Sequence, residues 1–270
     1  MSEVNDKVVI VTGGANGIGA FSVEVFIENQ AKHVAILDID TISGFKLEKH
    51  LNTKYGDGKV KFYKCDVSID DQLFGAFNKV LDSHGYIDVV VNNAAVSLEN
   101  SLERIRRLVD INVTALVMST LKAIEIMRVD KTGKGGTIIN ISSIAALKQF
   151  CPSVFVYCGT KSAVLQFSNC IGKQEYFSKT GVRVITVCYG PTDTDLVPLM
   201  INIDDSINPE IRSNIDAQKL QTAESAARGL LEAYKNGASG STWLVFDSKV
   251  TEITSNIDRA YDIMSENFTK

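Results

Sequence analysis

The sequence predicts an α/β protein with a doubly wound, seven-stranded parallel sheet flanked by helices. Short β-branched apolar runs alternate with longer amphipathic stretches from residue 7 to residue 246. These runs are apolar at successive positions, as strands covered on both faces must be, rather than alternating apolar with polar. No composition break or repeat interrupts the alternation, so residues 1–270 are expected to form one domain.

The first run, 7–12 (Lys-Val-Val-Ile-Val-Thr), is a strand, and the amphipathic stretch 17–29 after it is a helix. Further strands are expected at 33–38, 60–66, 87–92, 136–142, 182–188 and 242–246, with helices at 43–53, 70–83, 102–127, 154–179 and 224–236. Right-handed crossovers turn this order into a Rossmann-type sheet, whose ligands bind outside the carboxyl ends of the strands where the strand order reverses. The least patterned segment, 192–213, sets Leu196, Val197, Leu199, Met200 and Ile201 among polar residues. It is either a lid over an apolar substrate or a surface loop with a short helix.

Composition excludes several functions. A net charge of -4, with 28 basic residues spread along the chain, lacks the basic stripe that nucleic-acid binding needs. No apolar stretch approaches the roughly 18–20 residues of a membrane span, and the chain enters its first strand without a basic flank or cleavage site; a soluble, cytoplasmic protein is expected. Five cysteines, an odd number with no CxxC pair, point to reduced thiols. His33, His50 and His84 stand alone, so no metal site is expected.

The chemistry begins directly after the first strand, in Thr12-Gly-Gly-Ala-Asn-Gly-Ile-Gly19. Glycines there let the chain turn sharply and aim the free N–H groups of a helix start at a pyrophosphate, although a tight strand-to-helix connection uses the same residues. Asp38, at the end of the second strand, lies where a carboxylate accepts hydrogen bonds from the adenosine ribose hydroxyls. Its charge opposes a 2'-phosphate, and neither Ala15 nor Asn16 offsets it, so NAD is the expected cofactor rather than NADP. Asp66 ends the third strand as an adenine acceptor or a cap. Asn92-Asn93 ends the fourth, where amide side chains pin neighbouring loops.

Tyr157 and Lys161, four apart on a helix, share one face and set a phenol beside an ammonium. A free tyrosine has a pKa of about 10; a neighbouring Lys charge, together with oxidised nicotinamide, favours the phenolate and brings it towards the range useful for general acid–base work. Ser142 and Ser143 end the strand before this helix, where a hydroxyl can hold a substrate oxygen against the phenol. Asn112, within the long helix, either binds a water near Lys161 or satisfies local backbone groups.

Together these motifs, in order over roughly residues 6–195, resemble the short-chain dehydrogenase/reductase family, nearest to the branch of insect-type alcohol dehydrogenases and 15-hydroxyprostaglandin dehydrogenase. The resemblance implies a catalytic tetrad of Asn112, Ser143, Tyr157 and Lys161. It also implies a cofactor site built from the glycine turn (Gly13, Asn16, Gly17, Ile18, Gly19), the second and third strand ends (Asp38, Ile39, Asp66, Val67), Asn93, Gly190 and Thr192, with Tyr157 and Lys161 at the nicotinamide end. The implied reaction moves a hydride between a secondary or lipid-like/isoprenoid alcohol and NAD, giving the ketone or aldehyde. Rival expectations are an NADPH-dependent carbonyl reductase and a non-catalytic dinucleotide-binding sensor. A homodimer or homotetramer is expected from the apolar surface of the long helices. The sequence departs from the family pattern at Ala95, where a glycine is usual, and at Tyr189, where a proline is usual.

Overall fold

The computed structural model describes residues 2–267. The first half of the sheet comes from β1 (Val8–Thr12), α1 (Gly17–Glu28), β2 (His33–Asp38), α2 (Thr41–Tyr55), β3 (Val60–Lys64), α3 (Asp70–His84) and β4 (Val89–Asn92). A short β5 (Leu98–Glu99) leads into α4 (Leu102–Val109) and α5 (Leu116–Met127). Then follow β6 (Gly136–Ser143), α6 (Phe155–Ile171), α7 (Gln174–Thr180) and β7 (Val182–Tyr189). The remainder is β8 (Thr192–Asp193), β9 (Ile201–Asn202), α8 (Asn208–Asp216), β10 (Gln221–Thr222), α9 (Ala223–Asn236), β11 (Thr242–Phe246), β12 (Lys249–Glu252) and α10 (Thr254–Ser265).

The main sheet runs β12-β11-β7-β6-β4-β1-β2-β3. Chain order reverses at β1, which pairs in parallel with both β2 and β4, and the crevice opens at their carboxyl ends. Strand alternation explains the two-sided core: Val9 and Val11 enter one apolar cluster with α1 and α9, while Val8 and Ile10 enter another with α3 and α5.

Three expectations need correction. The sheet has eight strands, not seven parallel ones, because β12 folds back antiparallel on β11. Its two-residue turn places Asp247 and Ser248 at φ 49° and 61°; this conformation is usually signalled by Asn-Gly, so Asp-Ser concealed the hairpin. The helix expected at 102–127 contains a π-helical turn, Asp110–Ala115, between α4 and α5. Apolar periodicity cannot register such a local widening. The helix expected at 154–179 is two helices: α6 ends at Ile171 with Gly172 as its C-cap, the extended Lys173 turns the chain, and α7 starts at Gln174. Gly172 packs so closely on Gly240 that a Cβ there would come within 2.7 Å of Gly240 Cα. Among the described residues no helix is long and apolar enough to cross a membrane.

Candidate active site

A cavity of about 790 Å³ extends from the carboxyl ends of β1 and β2 to α6, and it is lined by every residue expected at the cofactor site, together with Ser143, Tyr157 and Lys161. At one end the glycine turn adopts its left-handed backbone at Gly13 (φ 62°) and Gly17 (φ 53°), and a Cβ on Gly19 would overlap the Gly13 carbonyl. Asn93 secures this turn: its Nδ2 donates to the carbonyls of Thr12 (3.1 Å) and Gly13 (3.0 Å). Thr12 Oγ1 in return accepts the backbone N–H groups of Asn93 and Ala94 at 3.0 and 3.1 Å. Asn92 points into the protein instead, donating to Asn140 Oδ1 (2.8 Å) and Thr120 Oγ1 (3.1 Å) in a buried network. Ala95 is not among the non-glycine residues at positive φ, so its methyl group meets no backbone strain.

Asp38 lines the cavity at the carboxyl end of β2. Its two oxygens accept the backbone N–H groups of Ala15 and Asp40, each at 3.0 Å. Asp40 caps α2 and accepts from Asn16 Nδ2 at 2.9 Å. Hydrogen bonds, led by that from the Ser43 side chain, hold the Asp40 carboxyl down to about 2. Two carboxylates therefore stand close together at the carboxyl end of β2, bordering the cavity.

Asp66 departs from the simple picture of a free adenine acceptor. Its Oδ2 pairs with Arg107 Nη2 at 2.7 Å, and its Oδ1 accepts the Ser68 hydroxyl at 2.7 Å. Burial opposes its ionisation, but the bonds from Ser68 and Arg107 outweigh burial and keep it below the usual carboxylate range. Arg107, from α4, thus edges this part of the cavity. Nothing in its local sequence distinguishes it from Arg104 or Arg106, and only the fold pairs it with Asp66.

At the other end, Tyr157 and Lys161 lie one turn apart on α6, with Lys161 Nζ 5.6 Å from the Tyr157 ring centroid and donating to the Ile141 carbonyl at 3.1 Å. The serine pair separates by role. Ser142 Oγ donates to the Lys161 carbonyl at 2.8 Å, tying β6 to α6, whereas Ser143 Oγ accepts the Ala145 N–H at 3.1 Å and lies near enough to the Tyr157 phenol to favour its ionised form. Asn112 lies in the π-helical turn; its Oδ1 accepts Val96 N–H at 2.9 Å, and its Nδ2 donates to the Val96 carbonyl (2.8 Å) and Thr160 Oγ1 (3.3 Å). These contacts tie the Asn112 side chain to the Val96 backbone and to Thr160 on α6.

Without a cofactor, burial governs both groups. Burial pushes the Tyr157 phenol up to about 12, with Ser143 acting the other way, and burial pushes Lys161 down to about 8. In the protein alone, desolvation of the charged forms therefore outweighs the attraction between phenolate and ammonium.

The chamber beyond Tyr157 is closed by the segment after β7. It is more ordered than the expected loop: β8 pairs with β10, β9 pairs with β5, and α8 turns Ile211 and Ile215 towards the cavity, which Leu196, Leu199 and Met200 also line. Tyr189 pairs with Ser143 across β7 and β6, and its buried hydroxyl has no hydrogen-bond partner. Among the described residues no group of three His, Cys, Asp or Glu side chains is arranged to hold a metal ion.

Residues 7–200 match the family model described as short chain dehydrogenase. The chain is 34% identical over 194 residues to 15-hydroxyprostaglandin dehydrogenase [NAD(+)] of Mus musculus, covering 72% of this chain and 70% of that protein. It is 28% identical over 256 residues to alcohol dehydrogenase 1 of Ceratitis capitata, covering 93% and 96%. A crystal structure of a short-chain type dehydrogenase/reductase from Mycobacterium marinum superposes with a TM-score of 0.76 at 24% identity, covering 90% of this chain and 94% of that one, a likeness of fold.

Proposed function

The chain belongs to the short-chain dehydrogenase family and is an oxidoreductase built for a nicotinamide dinucleotide; from that premise we propose that it is an NAD-dependent dehydrogenase of apolar secondary or lipid-like alcohols. The observation that carries this reading is one continuous cavity lined by the Asp38 carboxylate at one end and by Ser143, Tyr157 and Lys161 at the other.

The residues fit the cofactor. The glycine turn leaves a cradle that side chains would fill, and Asp38 and Asp40 favour an unphosphorylated ribose. Gly13, Asn16, Gly17, Ile18 and Gly19 would hold the pyrophosphate side, Asp38 and Ile39 the ribose, Asp66 and Val67 the adenine, and Gly190 and Thr192 the nicotinamide end. Asn93 acts by holding the glycine turn. When bound, NAD supplies the hydride acceptor and a positive ring.

The chain's own residues handle the proton. Ser143 holds the substrate oxygen against the Tyr157 phenol, which removes the hydroxyl proton as phenolate and returns it in the reverse direction. Lys161 stabilises that phenolate and binds the nicotinamide ribose. Asn112 fixes the Val96 loop against α6, so that both groups face the cavity. The apolar chamber formed by Leu196, Leu199, Met200, Ile211 and Ile215 supports a hydrophobic alcohol rather than a sugar.

We further propose that the whole chain acts as one dinucleotide-binding and catalytic domain in the cytoplasm, where its five free cysteines stay reduced. Leu102, Leu121 and Phe155, exposed on α4, α5 and α6, support assembly into a homodimer or homotetramer. The test is dinucleotide absorbance against a panel of short-chain, isoprenoid and steroid alcohols with NAD and NADP. NAD reduction that strengthens with the apolar character of the alcohol is expected. Turnover with NADPH and ketones alone would contradict the reading.

A further inference from the structure

Glu99 is 1% exposed, yet it carries a carboxylate that the reaction does not use. A buried carboxylate is costly unless hydrogen bonds replace its water. Here every group recorded as bonding to it is an N–H donor. Its Oε2 accepts the backbone N–H of Tyr157 at 3.0 Å, with the amides of Phe155 and Val156 alongside. These are the first three amides of α6, which has no side-chain cap of its own at Val154. Such amides lack partners within the helix, and they lie at the positive end of its dipole. Glu99 therefore caps from a distant strand the helix that carries Tyr157.

The other oxygen faces the substrate chamber's wall. Oε1 accepts Asn202 Nδ2 at 2.8 Å, and the same amide donates to the Ser153 carbonyl at 3.0 Å. Asn202, 2% exposed, is clasped in turn by Asn208: its N–H donates to Asn208 Oδ1 at 2.8 Å, and Asn208 Nδ2 donates to its carbonyl at 3.1 Å. Asn208 begins α8, the helix that presents Ile211 and Ile215 to the cavity. An unbroken chain of contacts thus joins the start of α6 to the chamber wall.

We propose that Glu99 is a positioning residue that latches the substrate-side segment 194–218 to the amino end of α6, so that closing the chamber and placing Tyr157 are one event. This rests on the dehydrogenase reading for its kinetic consequence but not for the latch itself. The position calls for an ionised carboxylate, because only an acceptor-only group satisfies backbone donors on one side and an amide donor on the other. Glutamine, almost the same shape, would turn an NH2 group against one of them.

The test compares Asn202→Leu, Glu99→Gln and the double variant. Asn202→Leu removes the lid-side donor and leaves the cap, so KM for an apolar alcohol should rise roughly ten- to hundred-fold, and kcat should fall as well, though less than in Glu99→Gln, because Tyr157 is placed by the same closure. Glu99→Gln should raise KM and also lower kcat. The double variant should be no worse than Glu99→Gln alone, since both act on one latch. Dinucleotide affinity, read by fluorescence titration, should stay near wild type in all three. Protease cleavage within 194–218 should accelerate in each, and this arm reads the latch even if the alcohol panel yields no turnover. Additive effects in the double variant, or unchanged cleavage of that segment, would overturn the proposal.

Discussion

Replacing Tyr157 by phenylalanine should lower kcat/KM by roughly 10²- to 10⁴-fold, the usual contribution of a general acid–base group, while leaving NAD affinity close to wild type. The substitution is clean because the ring and the hydroxyl do different work. The ring packs with Leu108 and Val154 in a small apolar cluster at the start of α6, and phenylalanine preserves that packing. The hydroxyl lies near Ser143, and its removal leaves Ser143 able to bind a substrate oxygen but no group to take the proton. A loss in kcat with intact cofactor binding is therefore the expected pattern. Near-normal turnover would remove Tyr157 from the mechanism, and a parallel loss of NAD binding would mean the ring had moved.

Replacing Asp38 by alanine should shift the ratio of NADP to NAD efficiency by about 10²- to 10³-fold in favour of NADP. Two effects act together. The carboxylate's repulsion of a 2'-phosphate is on the order of 4 kcal/mol per charge at 4 Å and an effective dielectric of 20, before solvent and salt reduce it. The backbone N–H groups of Ala15 and Asp40, now held by Asp38 at 3.0 Å, would also be released as donors to a phosphate. Asp40 remains as a second carboxylate at this end, so the switch should be incomplete and should deepen in Asp38→Ala/Asp40→Ala. Specificity constants for both dinucleotides measure the effect directly, and an unchanged ratio would show that neither carboxylate faces the ribose.

What the sequence made legible was local. The glycine turn, the Tyr157/Lys161 pair and the strand-ending Asp38 each carry their chemistry within a few residues, and all three line the same cavity. What it hid depends on contacts across long separations. Glu99 and Asn202 are 103 residues apart, and neither belongs to a recognisable motif. Arg107 meets Asp66 across 41 residues. The hairpin of β11 and β12 escaped notice because its turn lacks glycine. The helix α10 escaped because it buries none of its residues and has no side-chain cap, which leaves periodicity little to detect. Burial itself was not legible: in the protein without cofactor it raises the Tyr157 phenol, opposite in direction to the effect expected of Lys161 together with oxidised nicotinamide.

That reversal identifies the most direct measurement. A near-ultraviolet tyrosinate titration, taken as the difference between wild type and Tyr157→Phe, should find the Tyr157 phenol near 12 without cofactor, where burial is the largest influence on it. Saturating NAD adds a positive ring at the same end of the cavity and should move this titration downwards, towards the pH at which the enzyme works. A Tyr157 titration that is the same with and without NAD would contradict the account.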